Sequence, residues 1–314
     1  MIAFAPLDFL TSRWQKYQFI DSYRGIFSVE RMARKLQVSV SSYYEYKSGK
    51  YIKREVHKMI LSENIRHHFE LNDKLYGSRR LSAELKSHGI QASHTTVAKY
   101  MHEMGIKSVF YPKYRHTTDS KHNNDIADNL LDRNFNPSGP NMAWVSDITY
   151  ISVIGGFEYL TTIIDLYDRK VVGYSQSQTM KAEDTVIPAF KMAVKRRLSG
   201  ISAPGLIFHS DRGVQYTCKK FVDLLAKYNM TRSNSRKGNC WDNAVAESFF
   251  KTLKCELVYQ FKQLVSALKM RAVVFRYIET WYNKRRRHAA LGNRTIDEFY
   301  RRNNSSKQKL NLAS

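Results

Sequence analysis

Ile207-Phe208-His209-Ser210-Asp211-Arg212-Gly213 is a short apolar run that stops on an acid and a glycine turn. Asn239-Cys240-Trp241-Asp242-Asn243-Ala244-Val245-Ala246-Glu247-Ser248-Phe249-Phe250 reads as a helix carrying a second acid. Thirty-five residues, 212–246, lie between Asp211 and Glu247. A third acid, Asp147, falls within Trp144-Val145-Ser146-Asp147-Ile148-Thr149-Tyr150-Ile151-Ser152-Val153, whose β-branched and aromatic residues predict a strand.

Acids on two strands and one helix match what phosphoryl transfer on nucleic acid requires. A nucleophile is activated, a leaving oxygen stabilised and phosphate charge neutralised, work that two magnesium ions about 3.5–4 Å apart perform together. Magnesium takes carboxylate oxygens and keeps some of its waters, so rigid elements must bring a few acids to one point. On the predicted helix Lys251 and Lys254, four and seven residues after Glu247, share its face. This stripe suits a metal at one end and a DNA phosphate at the other; a solvent-facing Glu247–Lys251 pair explains the same spacing. Asp242 lies about 140° round that helix from Glu247 and reads as a cap or local contact. Asp165 and Asp168 flank a turn, where aspartate is common for local reasons. His209 reads as packed beside its strand end, and Gln215 and Tyr216 lie just past the glycine turn, within reach of DNA or metal-bound water.

Around these acids the pattern is that of a mixed α/β unit. Gly155-Gly156 turns the first strand into Phe157–Asp165, and Tyr167-Asp168-Arg169-Lys170 turns that into Val171–Ser175, a three-strand meander. Thr185–Leu198 and Cys218–Tyr228 read as amphipathic helices, with a buried strand at Leu206–His209 between them. Arg232-Ser233-Asn234-Ser235-Arg236-Lys237-Gly238-Asn239 reads as a basic, glycine-hinged loop suited to clamping a DNA end. A long helix is expected from about Leu264 to Tyr282. The cations of Asn283-Lys284-Arg285-Arg286-Arg287-His288 follow and are expected on phosphate, with frayed residues after Arg301.

The first third is helical. Ser28 is expected to cap Val29–Leu36, and Ser41 or Ser42 to cap a second helix bearing Tyr43, Tyr44 and Tyr46, in helix-turn-helix rhythm. Helices at Ile65–Leu71, Arg80–His88 and, capped by Ser93, His94–Met101 form a second such unit, with Arg79 and Arg80 as DNA contacts. The organisation is therefore 1–56 helix-turn-helix-like, 57–110 a second helical DNA-binding-type unit, 111–140 a linker, 141–302 the catalytic core and 303–314 a tail.

Composition agrees. The 314 residues carry 51 Lys and Arg against 28 Asp and Glu, a formal charge of +23, which favours a polyanionic partner such as nucleic acid. With 43% hydrophobic residues the chain supports real cores and is no disordered tail. Three cysteines, Cys218, Cys240 and Cys255, without paired short spacing indicate neither a disulfide framework nor a zinc knuckle. No apolar run approaches the roughly 18 residues of a membrane span, and an intracellular, cytosolic protein is expected.

Asp147-Ile148-Thr149-Tyr150, His209 to Tyr216, and Ser235 to Ala244 with Glu247-Ser248-Phe249-Phe250 together resemble the IS3-family insertion-sequence transposases, specifically their OrfB product. Tyr282-Asn283 followed by Arg286 and His288 extends the likeness, as does Tyr76-Gly77-Ser78-Arg79-Arg80 ahead of the core. The resemblance implies an α/β fold: an RNase H-like mixed-sheet catalytic core of the retroviral-integrase type preceded by an all-α, helix-turn-helix-type region. It implies a DDE triad on Asp147, Asp211 and Glu247, with Lys254 at the position of an integrase lysine. It also implies two Mg2+ ions, for which Mn2+ substitutes, and DNA contacts at Lys251, Lys254, Arg236, Lys237, Gln215, Arg79, Arg80, Arg286 and His288. The implied reaction is cleavage at element ends and strand transfer by the freed 3′-hydroxyl through a circular intermediate, without a covalent enzyme–DNA link. Implied partners are element-end and target DNA, further copies of the chain on that DNA, and OrfA or an OrfA–OrfB fusion; with no sustained heptad, the chain reads as OrfB alone. Asn234 stands where the family usually has an apolar residue, and Ile296 where a proline is common. A DNA-binding regulator and a nuclease of the same fold are the competing readings.

Overall fold

A computed structural model describes residues 12–109, 125–237 and 239–311. Contacts divide the chain into two units, Met1–Lys74 with Glu84–Lys107, and Leu75–Ala83 with Ser108–Ser314. The helical region 57–110 expected as one piece is thus shared, because Leu75–Ala83 packs with the second unit.

The first unit is all helix. α1 (Arg13–Tyr23) opens with a capping box between Ser12 and Gln15, and α2 (Val29–Lys35) is capped by Ser28 as expected. α3 (Val40–Lys47) is capped by Ser39 rather than Ser41 or Ser42, since the Ser39 hydroxyl is the one that reaches the Ser42 amide, at 3.4 Å. Tyr17, Ile20, Met32, Ala33, Leu36 and Tyr43 form the core of these three helices. α4 (Lys50–Leu71) starts well before the expected Ile65, α5 (Ser78–Ser87) follows, and α6 (His94–Glu103) is capped by Ser93.

The second unit is built on a five-stranded sheet in the order β3-β2-β1-β4-β5. β1 (Ala143–Val153), β2 (Gly156–Asp165) and β3 (Val171–Ser177) form the antiparallel meander. Gly155 and Gly156 supply the positive φ, 85° and 147°, that the first turn needs. α7 (Val186–Leu198) then crosses back over β3, so closely that a side chain on Gly173 would meet the Ala189 carbonyl at 2.1 Å. β4 (Ile207–Ser210) joins β1 in parallel, followed by the single turn α8 (Val214–Thr217) and α9 (Lys219–Lys227). Trp144, Phe190, Phe208 and Phe221 centre the core between sheet and helices.

β5 (Thr231–Asn234) corrects the expected loop, running parallel to β4. Its neighbour Gly238, the expected hinge, lies outside the described residues. The described part of the expected linker, 125–140, is also no free tether. The Ala127 amide donates to Asn234 Oδ1 at 3.0 Å, and the Leu130 and Leu131 amides donate to Ser233 Oγ at 2.9 and 3.2 Å, covering the edge strand. A 3-10 turn (Cys240–Asn243) leads into α10 (Ala244–Glu256), and α11 (Ala267–Arg276) continues through a π-helical turn at Tyr277–Tyr282. α12 (Ile296–Asn311) carries on past Arg301, where fraying was expected.

Candidate active site

Asp147 is the fifth residue of β1, opposite Thr162 on β2, and is 3% exposed. Its Oδ1 accepts from the Ile148 amide at 2.8 Å. The neighbouring Ser146 hydroxyl bonds the Tyr216 hydroxyl at 2.8 Å, and the Ser146 carbonyl accepts from Asn243 Nδ2 at 3.1 Å. The latter bond ties the approach to α10 to the strand that carries Asp147.

Asp211 follows directly on β4, where parallel pairing with β1 ends at Val145↔His209. Oδ1 accepts from the Gly213 amide at 2.9 Å, and a Cβ on Gly213 would sit 3.0 Å from that oxygen and 3.1 Å from Gln215 Oε1. Glycine thus leaves Asp211 and Gln215 the room to close round this turn, where a Cβ would be a tight fit. Asn234 Nδ2 donates to the Asp211 carbonyl at 2.9 Å and to Ser210 Oγ at 3.2 Å, which gives this departure from the family's apolar residue a role in holding the turn. Below it His209 is buried, with Nδ1 on Ser233 Oγ at 2.9 Å and Nε2 on Ser235 Oγ at 3.1 Å. Burial holds its pKa down to about 4, so it is a neutral positioning residue.

Glu247 sits in the first turn of α10, half-buried, on a helix whose Ala246, Phe249, Phe250 and Leu253 fill the interior. Burial pushes the Asp147 carboxyl well above the usual carboxylate range; the negative charges of Asp211 and then Glu247 push it further. The Ile148 amide and Lys254 pull the other way. The same field, added to burial, raises the Tyr216 hydroxyl. Asp147 therefore feels both of the other acids expected with it, Asp211 and Glu247.

Carboxylate oxygens, backbone amides and hydroxyls make a hard donor set that fits magnesium. The raised Asp147 carboxyl marks a negative charge that a cation would relieve.

Lys254, expected on a DNA phosphate, is 5% exposed, with its ammonium 5.0 Å from the centre of the Tyr150 ring. Burial lowers its pKa to about 8 against the pull of Tyr150 and Asp147. Its ammonium lies towards β1, where its charge acts on Asp147. Lys251 on the same helix is exposed, as are Arg236, Lys237 and Arg79. Arg236 also grips Asp242, with Nη2 2.8 Å from Oδ1, a local contact of the kind expected; buried Asp242 further takes Arg133 and Asn129, from far off in the sequence.

Arg286, Arg287 and His288 are buried in internal bonds, against the expectation of phosphate contact, whereas Lys284 and Arg285 of the same run are exposed. Arg286 forks onto Glu256 at 2.7–3.0 Å, and Arg287 onto Glu298 at 2.6 and 3.0 Å. His288 is buried with Nε2 on the Tyr282 carbonyl at 3.0 Å, and burial drops its pKa to about 3. Arg80 is half-buried 3.6 Å from the same Glu256. Asn283 bonds both the amide and the carbonyl of Val171 at 2.9 Å, acting as a strand neighbour for β3. These motif residues hold the unit together. The bonds made by Ser146, Tyr216, Asn234 and Asn243 were not foreseen; only the closeness of Ser146, Tyr216 and Asn243 to the acids in sequence signalled them.

Family models agree with this architecture. An integrase core domain matches residues 137–240, a second integrase core model matches 228–295, and an HTH-like domain matches 57–114. The transposase InsF of insertion sequence IS3A from Escherichia coli K12 is 34% identical over 290 residues, spanning 92% of this chain and 99% of InsF. A 31 kDa protein of insertion element IS600 from Shigella sonnei is 39% identical over 220 residues, 69% of this chain and 78% of that protein. The HTLV-2 integrase catalytic core in complex with magnesium aligns with 51% of this chain and 96% of that one at 16% identity, with a TM-score of 0.37.

Proposed function

This chain belongs to the IS3 family of insertion-sequence transposases, and from that premise we propose that Asp147, Asp211 and Glu247 are its DDE triad. The reaction proposed is metal-dependent cleavage at insertion-sequence ends, followed by strand transfer from the freed 3′-hydroxyl into target DNA. The observation that carries this reading is the buried Asp147 on β1, whose carboxyl is raised by burial first and then by the charges of Asp211 and Glu247.

The triad carboxylates would hold two Mg2+ ions, or Mn2+ in their place; bound there, the ions neutralise the phosphate and polarise the attacking and leaving oxygens. Asp147 contributes a fixed position in mid-strand. Asp211 is oriented by the Gly213 amide, with Gln215 beside it to bond water or a phosphate oxygen. Glu247 has the reach of a longer side chain at the start of a helix and closes the set. Lys254 offsets negative charge beside Asp147 from inside the unit. Lys251, Arg236, Lys237 and Arg79 contact DNA phosphates, a role in keeping with their exposure and the charge of +23. The chain works in the cytoplasm as several copies on DNA, with an OrfA product or fusion as partner.

The test is a strand-transfer assay with labelled element-end DNA and magnesium. Joined products support the proposal. Cleavage without joining makes the chain a nuclease, and binding alone makes it a regulator of element ends.

A further inference from the structure

Away from the carboxylates, in the helical unit, His68 on α4 meets Glu84 on α5 and His88 just past its end, each offering a ligand atom within 4.8 Å of the others. Glu84 and His88 stand four apart, on one face of the turn. The rings of His68 and His88 are 4.5 Å apart. His68 is 5% exposed, and its Nδ1 is buried without a hydrogen-bond partner. Buried imidazole nitrogens ordinarily find partners, so a lone pair or N–H left bare beside a carboxylate and a second imidazole needs an explanation.

The second histidine supplies it. His88 Nδ1 lies 3.0 Å from the Glu84 carbonyl, which can only accept, so Nδ1 carries the proton and Nε2 is left with its lone pair. A backbone carbonyl fixing the far nitrogen is the usual support behind a metal-bound histidine. Two imidazoles and a carboxylate form a borderline-soft set that prefers zinc or its neighbours to magnesium. In a tetrahedral zinc site, bonds of about 2.0–2.1 Å place ligand atoms roughly 3.3 Å apart. The three need only draw in slightly, and His88 and Glu84 lie on the accessible side.

We propose that His68, Glu84 and His88 bind one Zn2+-type ion, water completing the tetrahedron, and that the ion staples α4 to α5 within the helical unit. The site is separate from the triad in residues and in donor chemistry. No residue of the triad or its supporting bonds takes part.

Co2+ titration of the full-length, chelator-treated chain tests this, because tetrahedral cobalt with imidazole ligands absorbs strongly in the visible and six-coordinate cobalt on carboxylates and water does so weakly. One equivalent of strongly absorbing Co2+ is expected, displaced by Zn2+, retained in Glu247→Gln, and lost in both His68→Gln and His88→Gln. Zn2+ is expected to raise the Tm of the wild-type chain by several degrees and leave His88→Gln unmoved. His88 is exposed, so its substitution leaves the fold intact, as circular dichroism will verify, even where His68→Gln destabilises it. Absence of the band, its survival in His88→Gln, or its loss in Glu247→Gln overturns the proposal.

Discussion

Two sets of acids in the second unit, each including a buried carboxylate, show opposite solutions to one electrostatic problem. Asp165, the last residue of β2, and Asp168 in the following turn are answered from within. Arg197 on α7 pairs with Asp168 and lies 3.7 Å from Asp165, Tyr300 on α12 donates to Asp168 at 2.8 Å, and the Asn141 and Tyr167 amides donate to Asp165 at 2.9 and 3.0 Å. Burial and the neighbouring Asp168 still push Asp165 up to about 6. Around Asp147, by contrast, the charges that act are two further acids and one lysine, itself held down to about 8 by burial. An arginine answers the first set from within the fold; under the proposed function a bound cation would answer the second.

That contrast is broken most sharply by substitution on the catalytic side. Asp147→Asn, Asp211→Asn and Glu247→Gln are each expected to cut strand joining by on the order of 10³-fold or more while leaving DNA retention in a mobility-shift assay within a few-fold. Equal loss of joining and of binding would put these acids with the structural set. Arg197→Ala is expected to do the reverse, costing about 3–5 kcal/mol in denaturant unfolding by stranding Asp168. A loss under 1 kcal/mol would remove Arg197 from its role.

Lys254→Ala sharpens the comparison at an intermediate scale. It removes the cation nearest Asp147, and a fall of about tenfold in joining is expected, the equivalent of one pKa unit. End crosslinking should stay unchanged, since the ammonium is buried; lost crosslinking would restore the phosphate contact expected from sequence.

The smallest effect is in pH. His209 and His288 are held at about 4 and about 3, below the unfolded value near 6.5, so the unfolded chain binds more protons between those limits. Their contribution is fully present above pH 6.5 and is lost as pH falls through the folded values. Thermal melts should therefore show Tm falling below pH 6.5, less steeply in His209→Gln, and an unaltered slope would contradict the buried neutral state.

The meander and the helices flanking the triad were legible because apolar period and turn glycines carry them, as at Gly155-Gly156. β5 was not, because Thr231-Arg232-Ser233-Asn234 is polar, and its buried half, Ser233 and Asn234, is held through hydroxyl and amide bonds instead of apolar surface. The early start of α4 was hidden because Val56, Met59 and Ile60 face out and, from Lys53 on, the first buried residue is Leu61. The three acids were legible by their spacing and setting, whereas the fates of Lys254, Arg286 and Arg287 were not. Their partners Tyr150, Glu256 and Glu298 come from other elements, and a run of cations looks the same in sequence whether it faces phosphate or glutamate.

The most direct test is a Mg2+ binding isotherm on the wild-type chain and on Asp147→Asn, Asp211→Asn and Glu247→Gln at neutral pH. Saturable binding in the wild type that weakens at least tenfold in each variant is the expected result. Mg2+ binding of unchanged strength in all three would contradict the claim that these acids, left facing one another, are the metal site.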